Sequence, residues 1–196
     1  MITKEFIHLH FPRTGGTSLR HVLSNKFRND VTILSDMNHP AGTKIEQYNY
    51  DIPRFILTRN PWSWYVSWFG RRVRAHDFTG TFDEHLQQML NGASYHSGFV
   101  PYSQVGTFSA AFDGFTFGGV DKIYRFEDVP IAYAEAVAHY SDIDFDDILY
   151  ELEKCHLRAD PAPRHYSTYY TDKTKDMVAE VDREYIKQFG YTFEKE

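Results

Sequence analysis

Apolar and polar residues alternate over residues 6–11. Ile7, Leu9 and Phe11 fall on one face and Phe6, His8 and His10 on the other, which predicts a strand. The period then lengthens: Leu19, Val22, Leu23 and Phe27 recur at helical spacing over residues 17–27. Short apolar runs at 31–34 and 54–58 predict a second and a third strand, and Pro61 suits the first turn of the helix that follows. In that helix Trp62, Tyr65, Val66, Phe69 and Val73 form the expected buried stripe, while Trp64, Ser67, Trp68 and Arg71 fall on a different face. Thr81-Phe82-Asp83-Glu84 has the form of a capping box and opens a helix to about Leu90. Residues 92–119, rich in Gly, Ser and aromatics, read as irregular structure with one short helix. A fourth strand is expected at 122–126, helices near 130–140 and 146–154, and a polar loop with Pro161 and Pro163 over 157–170. The last helix, over 172–189, carries Val178, Val181, Tyr185 and Phe189 as its stripe, and Gly190 ends it. No internal repeat or linker divides the chain, so a single domain over residues 1–196 is expected. Strands alternating with helices predict a central mostly parallel sheet in a three-layer α/β/α arrangement.

Ligands of such sheets bind beyond the carboxyl ends of the strands. Two strand–loop–helix junctions stand there. One is Phe11-Pro12-Arg13-Thr14-Gly15-Gly16-Thr17-Ser18; the other is Thr58-Arg59-Asn60-Pro61, with Ser67 eight residues after Arg59. A helix N-terminus presents N–H groups without intrahelical partners and a partial positive charge, which suits phosphate. Two such junctions point to a ligand phosphorylated at two separate places. ATP has one phosphate chain, whereas adenosine 3′,5′-bisphosphate (PAP) has two ends, and 3′-phosphoadenosine-5′-phosphosulfate (PAPS) is the sulfuryl donor built on it.

Composition narrows the partners. The net charge of −6 supplies no overall basic field for nucleic acid, so any anion site must be local. The single cysteine, Cys155, allows no intrachain disulfide and reads as a core residue rather than a nucleophile. No apolar run approaches a membrane span, and the polar residues 1–5 do not read as a signal peptide, so a cytoplasmic protein is expected.

Pro12-Arg13-Thr14-Gly15-Gly16-Thr17-Ser18 resembles the 5′-phosphosulfate loop of the PAPS-dependent sulfotransferases, and Arg59-Asn60-Pro61 with Ser67 resembles their 3′-phosphate motif. Tyr124-Arg125-Phe126-Glu127-Asp128 is similar to a later strand of that family. Tyr169-Tyr170-Thr171-Asp172 through Phe189-Gly190-Tyr191 resembles the C-terminal helix of the branch that includes the uronosyl 2-O-sulfotransferases. The resemblance runs along nearly the whole chain and is weakest over 75–119. It implies a P-loop-type fold, PAPS as donor, PAP as product, no metal, and an acceptor with a free hydroxyl, a saccharide in this branch. The family's pattern gives the 3′-phosphate to Arg59 and Ser67. The first loop usually carries lysine where this chain has Arg13, which donates bidentately but is not a mobile point charge; Arg13 is the expected stabiliser of the leaving group.

The residues fit those roles chemically. Gly15 and Gly16 let backbone N–H groups approach a 5′-phosphate, and Thr17 and Ser18 add hydroxyl donors. The loop is not a Walker loop, because Thr17 follows Gly16 where lysine would stand. That disfavours the alternative of a P-loop nucleotide or small-molecule kinase; a non-catalytic bisphosphate-binding module is the other alternative. An attacking hydroxyl must lose a proton, and His39, in Asn38-His39-Pro40, precedes Arg59 by a spacing like that of the branch's base histidine. Asp36 is its competitor. Trp64 and Trp68 offer aromatic faces to a sugar, and Arg71, with Arg72 and Arg74 nearby, suits acidic groups. By resemblance, Arg158, Arg164, His165 and Tyr166 close over the nucleotide. His8 and His10 share a strand face without further ligands, so a metal site is not expected.

Overall fold

The computed structural model describes residues 1–30, 32–35, 51–76, 78–91, 106–117, 119–155 and 164–194. Its elements, in chain order, are β1 (Ile2–Thr3), β2 (Ile7–Leu9), α1 (Gly16–Lys26), β3 (Ile33–Ser35), β4 (Arg54–Thr58), α2 (Pro61–Arg74), α3 (Phe82–Leu90), α4 (Phe108–Thr116), β5 (Lys122–Arg125), α5 (Ile131–Tyr140), α6 (Phe145–Lys154), α7 (Asp172–Val181) and α8 (Arg183–Phe189). Short 3-10 turns occupy Phe126–Asp128 and Tyr166–Tyr169. The chain divides into two compact units, residues 1–59 with 114–159, and residues 60–113 with 160–196.

The first unit holds a sheet of order β3-β1-β2-β4-β5. Strand β4 runs parallel to both β2 and β5, with Leu9 opposite Ile56 and Thr58 opposite Arg125. β1 runs antiparallel to β2 and β3, so the other four strands share one direction, as the sequence pattern predicts for a mostly parallel sheet. β1 itself is not foreseen by the pattern. Two residues are too few for a period, and the chain turns back through a local device: Thr3 Oγ1 accepts the amides of Phe6 at 2.8 Å and Glu5 at 3.2 Å. Both faces of β2 are buried. Phe6, Phe55 and Leu57 join Leu19, Val22 and Leu23 of α1, Tyr133 and Val137 of α5, and Ile148 and Leu152 of α6 in one buried core. Each such side chain, fully buried, stabilises the unit by about 1.5–3 kcal/mol. Ile7, Leu9 and Ile56 are buried as well, as strands of a parallel sheet usually are.

The second unit is helical. Asn60 caps α2, its Oδ1 accepting from the amides of Trp62 (3.1 Å) and Ser63 (3.5 Å), and Pro61 takes the first turn, where no amide is needed. The capping box at Thr81 and Glu84 forms reciprocally, as the spacing predicts. Within 92–119 the short helix is α4, which buries Phe108 and Phe112. The C-terminal helix differs from expectation. It is two helices broken at Asp182, which is fully buried and accepts the Tyr65 hydroxyl at 2.8 Å, the Ser109 amide at 2.9 Å and the Ser109 hydroxyl at 2.6 Å. The stripe of α2 also differs. Val73 is 42% exposed, while Trp64 and Trp68 are 0% and 7% exposed.

Candidate nucleotide site

The loop between β2 and α1 is built by backbone hydrogen bonds. The Phe11 amide donates to Leu9 O at 2.8 Å, and the Thr14 hydroxyl donates to Phe11 O at 2.6 Å, which turns the buried Thr14 side chain into the loop. Gly15 caps α1 at φ +79°, a left-handed conformation that strains any residue with a Cβ. Gly16 is needed for space instead: a Cβ there would stand 2.6 Å from His10 Nε2. The two glycines of the motif thus answer different demands. No acidic residue lies in the first turn of α1, so its N-terminal field is not cancelled locally.

Two side chains from outside the loop hold its carbonyls. Arg59, at the end of β4, donates from its guanidinium to Arg13 O at 2.7 Å and lies over the Phe126 ring at 4.3 Å. Tyr133, from α5, donates to Thr14 O at 2.8 Å. Burial pushes the Tyr133 phenol well above its ordinary range, so it keeps the proton it donates. Arg13 itself adopts φ +70° although it carries a side chain, which costs about 1–3 kcal/mol. The side chains of Arg13, Thr17 and Ser18 are half-buried, whereas Pro12 is buried. The carboxyl ends of three neighbouring strands therefore converge: β2 delivers the loop, β4 delivers Arg59, and β5 leads into Phe126. Phe126 and Tyr133 carry no sequence signal for this role. The first follows a strand and the second sits in an ordinary helical stripe.

His8 is buried and stacks on Phe55 at 5.0 Å, and its ring meets Tyr133 edge-on at 5.4 Å. Among the described residues no group of three His, Cys, Asp or Glu stands ready for a metal, and no helix is long and apolar enough to cross a membrane. Cys155 packs against the sheet core.

In the second unit Ser67 and Arg71 lie on α2 with half-buried side chains. The expected sugar platform beside them needs correction. Trp64 is enclosed edge-to-face by Tyr65, Trp68 and Phe108 at 5.2–6.1 Å, and both tryptophans are buried core residues with no open face for an acceptor. Arg72 is also internal, donating to His85 Nδ1 at 2.9 Å and lying 4.2 Å over Phe78. Arg164 and Arg74 are exposed. His165 caps its own 3-10 turn and Tyr166 accepts the Glu194 amide at 2.7 Å. His39, Asp36 and Arg158 lie outside the described residues.

No protein-family model matches the chain, and no curated protein matches it in sequence. Among solved structures it is similar to mouse sulfotransferase SULT7A1 complexed with PAP, at 14% identity over 93% of this chain and 84% of that one, with a TM-score of 0.59. It is also similar to a sulfotransferase from Alicyclobacillus acidocaldarius, at 17% identity over 78% of this chain and 60% of that one, with a TM-score of 0.41. The likeness to the mouse structure establishes the fold: α/β with a central, mostly parallel sheet, of the P-loop type found in sulfotransferases.

Proposed function

We propose that this chain transfers the sulfuryl group of PAPS to an acceptor hydroxyl, on a saccharide, and releases PAP. The loop carries the reading. Arg13 to Ser18 leave β2 in a left-handed turn and open α1 without a local acid, while Arg59 leaves the neighbouring parallel strand. The fold is shared with a sulfotransferase solved with PAP. The donor set suits a polyanion: N–H groups at a helix start and two guanidinium groups, with Gly16 sparing the loop a clash against the His10 ring.

In this reading the loop amides with Thr17 and Ser18 bind the 5′ end, and Pro12 and Thr14 shape the loop. Arg59 and Ser67 bind the 3′-phosphate, as the motif resemblance has it, and Arg164 covers the nucleotide. PAPS, when bound, supplies the activated sulfur. Arg13 donates to the phosphate oxygen on which negative charge grows as the bond to sulfur breaks. His39 accepts the proton of the acceptor hydroxyl as its oxygen bonds to sulfur, with Asp36 as the other candidate base. Arg71 remains the contact for an acidic sugar; the tryptophans do not. A kinase is the weaker reading, because the Walker lysine is missing.

The test is transfer of labelled sulfuryl from PAPS to oligosaccharides, phenols and hydroxysteroids in excess EDTA. Oligosaccharides are expected to be preferred, and turnover is expected to persist. No sulfuryl transfer, with magnesium-dependent phosphoryl transfer from ATP to the same acceptors, would return the kinase reading. Preference for a phenol, unchanged in Arg71→Ala, would remove the saccharide assignment and leave sulfuryl transfer standing.

A further inference from the structure

We infer that Arg59 and Tyr133 are positioning residues for the 5′ end of the donor, acting through the backbone of the loop between β2 and α1; this rests on the reading just proposed. The loop has two successive carbonyls, of Arg13 and Thr14, and each is held by one side chain from a different element. Arg59 holds the first at 2.7 Å and Tyr133 the second at 2.8 Å. A peptide unit is planar and trans, so its N–H points opposite to its C=O. Fixing the Arg13 carbonyl therefore aims the Thr14 amide, and fixing the Thr14 carbonyl aims the Gly15 amide. Successive amides aimed in this way are the elements of a backbone anion nest.

The two holders are themselves constrained. The Arg59 guanidinium is seated on the Phe126 ring at 4.3 Å, and Phe126 and Tyr133 line Gly15, standing 3.5 and 3.7 Å from where its Cβ would be. Tyr133 is fully buried, and its hydroxyl also lies 3.5 Å from His8 Nε2. The Arg59 bond has a further task. Arg13 holds a left-handed conformation that its side chain disfavours, and a charge-assisted bond to that residue's own carbonyl offsets the strain. Arg59 thus serves the 5′ loop through its bond to Arg13 as well as the 3′-phosphate that the motif gives it. Tyr133 is given no contact with the 3′-phosphate.

The test measures dissociation constants of AMP, adenosine 3′-monophosphate and PAP by calorimetry, with melting curves confirming that each variant is folded. Tyr133→Phe removes one hydroxyl. It is expected to weaken AMP about fivefold and adenosine 3′-monophosphate less than about twofold, since one neutral hydrogen bond is lost at one end of the ligand. Arg59→Ala is expected to weaken both mononucleotides about tenfold or more. Ser67→Ala is expected to weaken only those with a 3′-phosphate. Should Arg59→Ala fail to fold, Arg59→Lys carries the same expectation for AMP, because an ammonium lacks the planar fork that rests on Phe126 while reaching Arg13 O. A wild-type protein that binds AMP, with Tyr133→Phe and the Arg59 variant binding it within twofold of wild type, overturns this inference alone. So does a Tyr133→Phe loss that is equal for both mononucleotides, which marks a general structural effect. A wild-type protein that binds none of the three ligands overturns the proposed function and this inference with it.

Discussion

Two sets of polar side chains, one in each unit, close on different partners. In the first unit Arg59 and Tyr133 donate to loop carbonyls, so their bonds order a stretch of backbone whose amides face other directions. In the second unit the buried Asp182 and Arg72 close mainly on other side chains. Asp182 accepts from Tyr65 and Ser109, and Arg72 donates to His85 at 2.9 Å and to Gln88 at 3.3 Å. The former arrangement fixes the direction of the Thr14 and Gly15 N–H groups. The latter uses its donors and acceptors to tie α2 to α3, α4 and the junction of α7 with α8. The identity of the partner separates the two regions: loop carbonyls in the first, side chains of neighbouring helices in the second.

The strongest test of that contrast is Asp182→Ala. It leaves the hydroxyl of the fully buried Tyr65 without its acceptor and removes the caged carboxylate that joins three elements. A loss of about 3 kcal/mol in urea unfolding is expected, because an unsatisfied buried donor costs about 1–3 kcal/mol and two bonds to Ser109 go as well. PAP affinity of the remaining folded protein should be unchanged. A loss below about 1 kcal/mol, or a collapse of PAP affinity in protein shown to be folded, would erase the distinction between scaffold and site.

His39→Ala sharpens it from the other side. Turnover should fall by about 10² or more with nucleotide affinity nearly unchanged, since a base acts on the acceptor alone. Retention of most activity would transfer the role to Asp36.

A smaller effect concerns pH. Burial, and then the Arg72 charge, hold the His85 imidazole at about 3, far below its ordinary 6.5. The unfolded chain therefore binds a proton that the folded chain refuses. Stability from this group is complete above about pH 6.5 and is lost as pH falls toward 3. Asp182 has the opposite sign, because burial raises its carboxyl above the ordinary 3.8 and favours the folded state as pH falls. Comparing melting temperatures of wild type and His85→Asn from pH 7 to 4 isolates the histidine. The variant, which keeps an acceptor for Arg72, should show the shallower decline; parallel curves would refute the assignment.

Local pattern made much of the first unit legible. The β2–loop–α1 junction, β4, β5 and the parallel sheet follow from alternation, helical spacing and two glycines, all encoded within a few residues of where they act. The capping box at Thr81 was legible for the same reason. What was not legible depends on distant partners. Asp182 breaks a helix whose apolar stripe runs straight through it, because Tyr65 and Ser109 hold its carboxylate. Spacing sorted the residues of α2 into faces but not into covered and open ones. That is why Trp64 and Trp68 read as an acceptor platform and are core, while Val73 reads as core and is exposed. The motif marks Arg59 as the expected phosphate ligand but gives no sign of its bond to Arg13 O, and Tyr133 carries no sequence signal.

A donor site for a nucleotide phosphorylated at both ends is tested by the melting temperature with saturating PAP, AMP and ATP at equal concentration. A ligand at 100 times its dissociation constant stabilises the folded state by about 2.7 kcal/mol. PAP is predicted to raise the melting temperature clearly more than AMP, and ATP much less than PAP, with Ser67→Ala reducing the PAP shift toward that of AMP. Equal shifts with PAP and AMP, or a larger shift with ATP, would show that the two junctions do not hold a bisphosphate nucleotide.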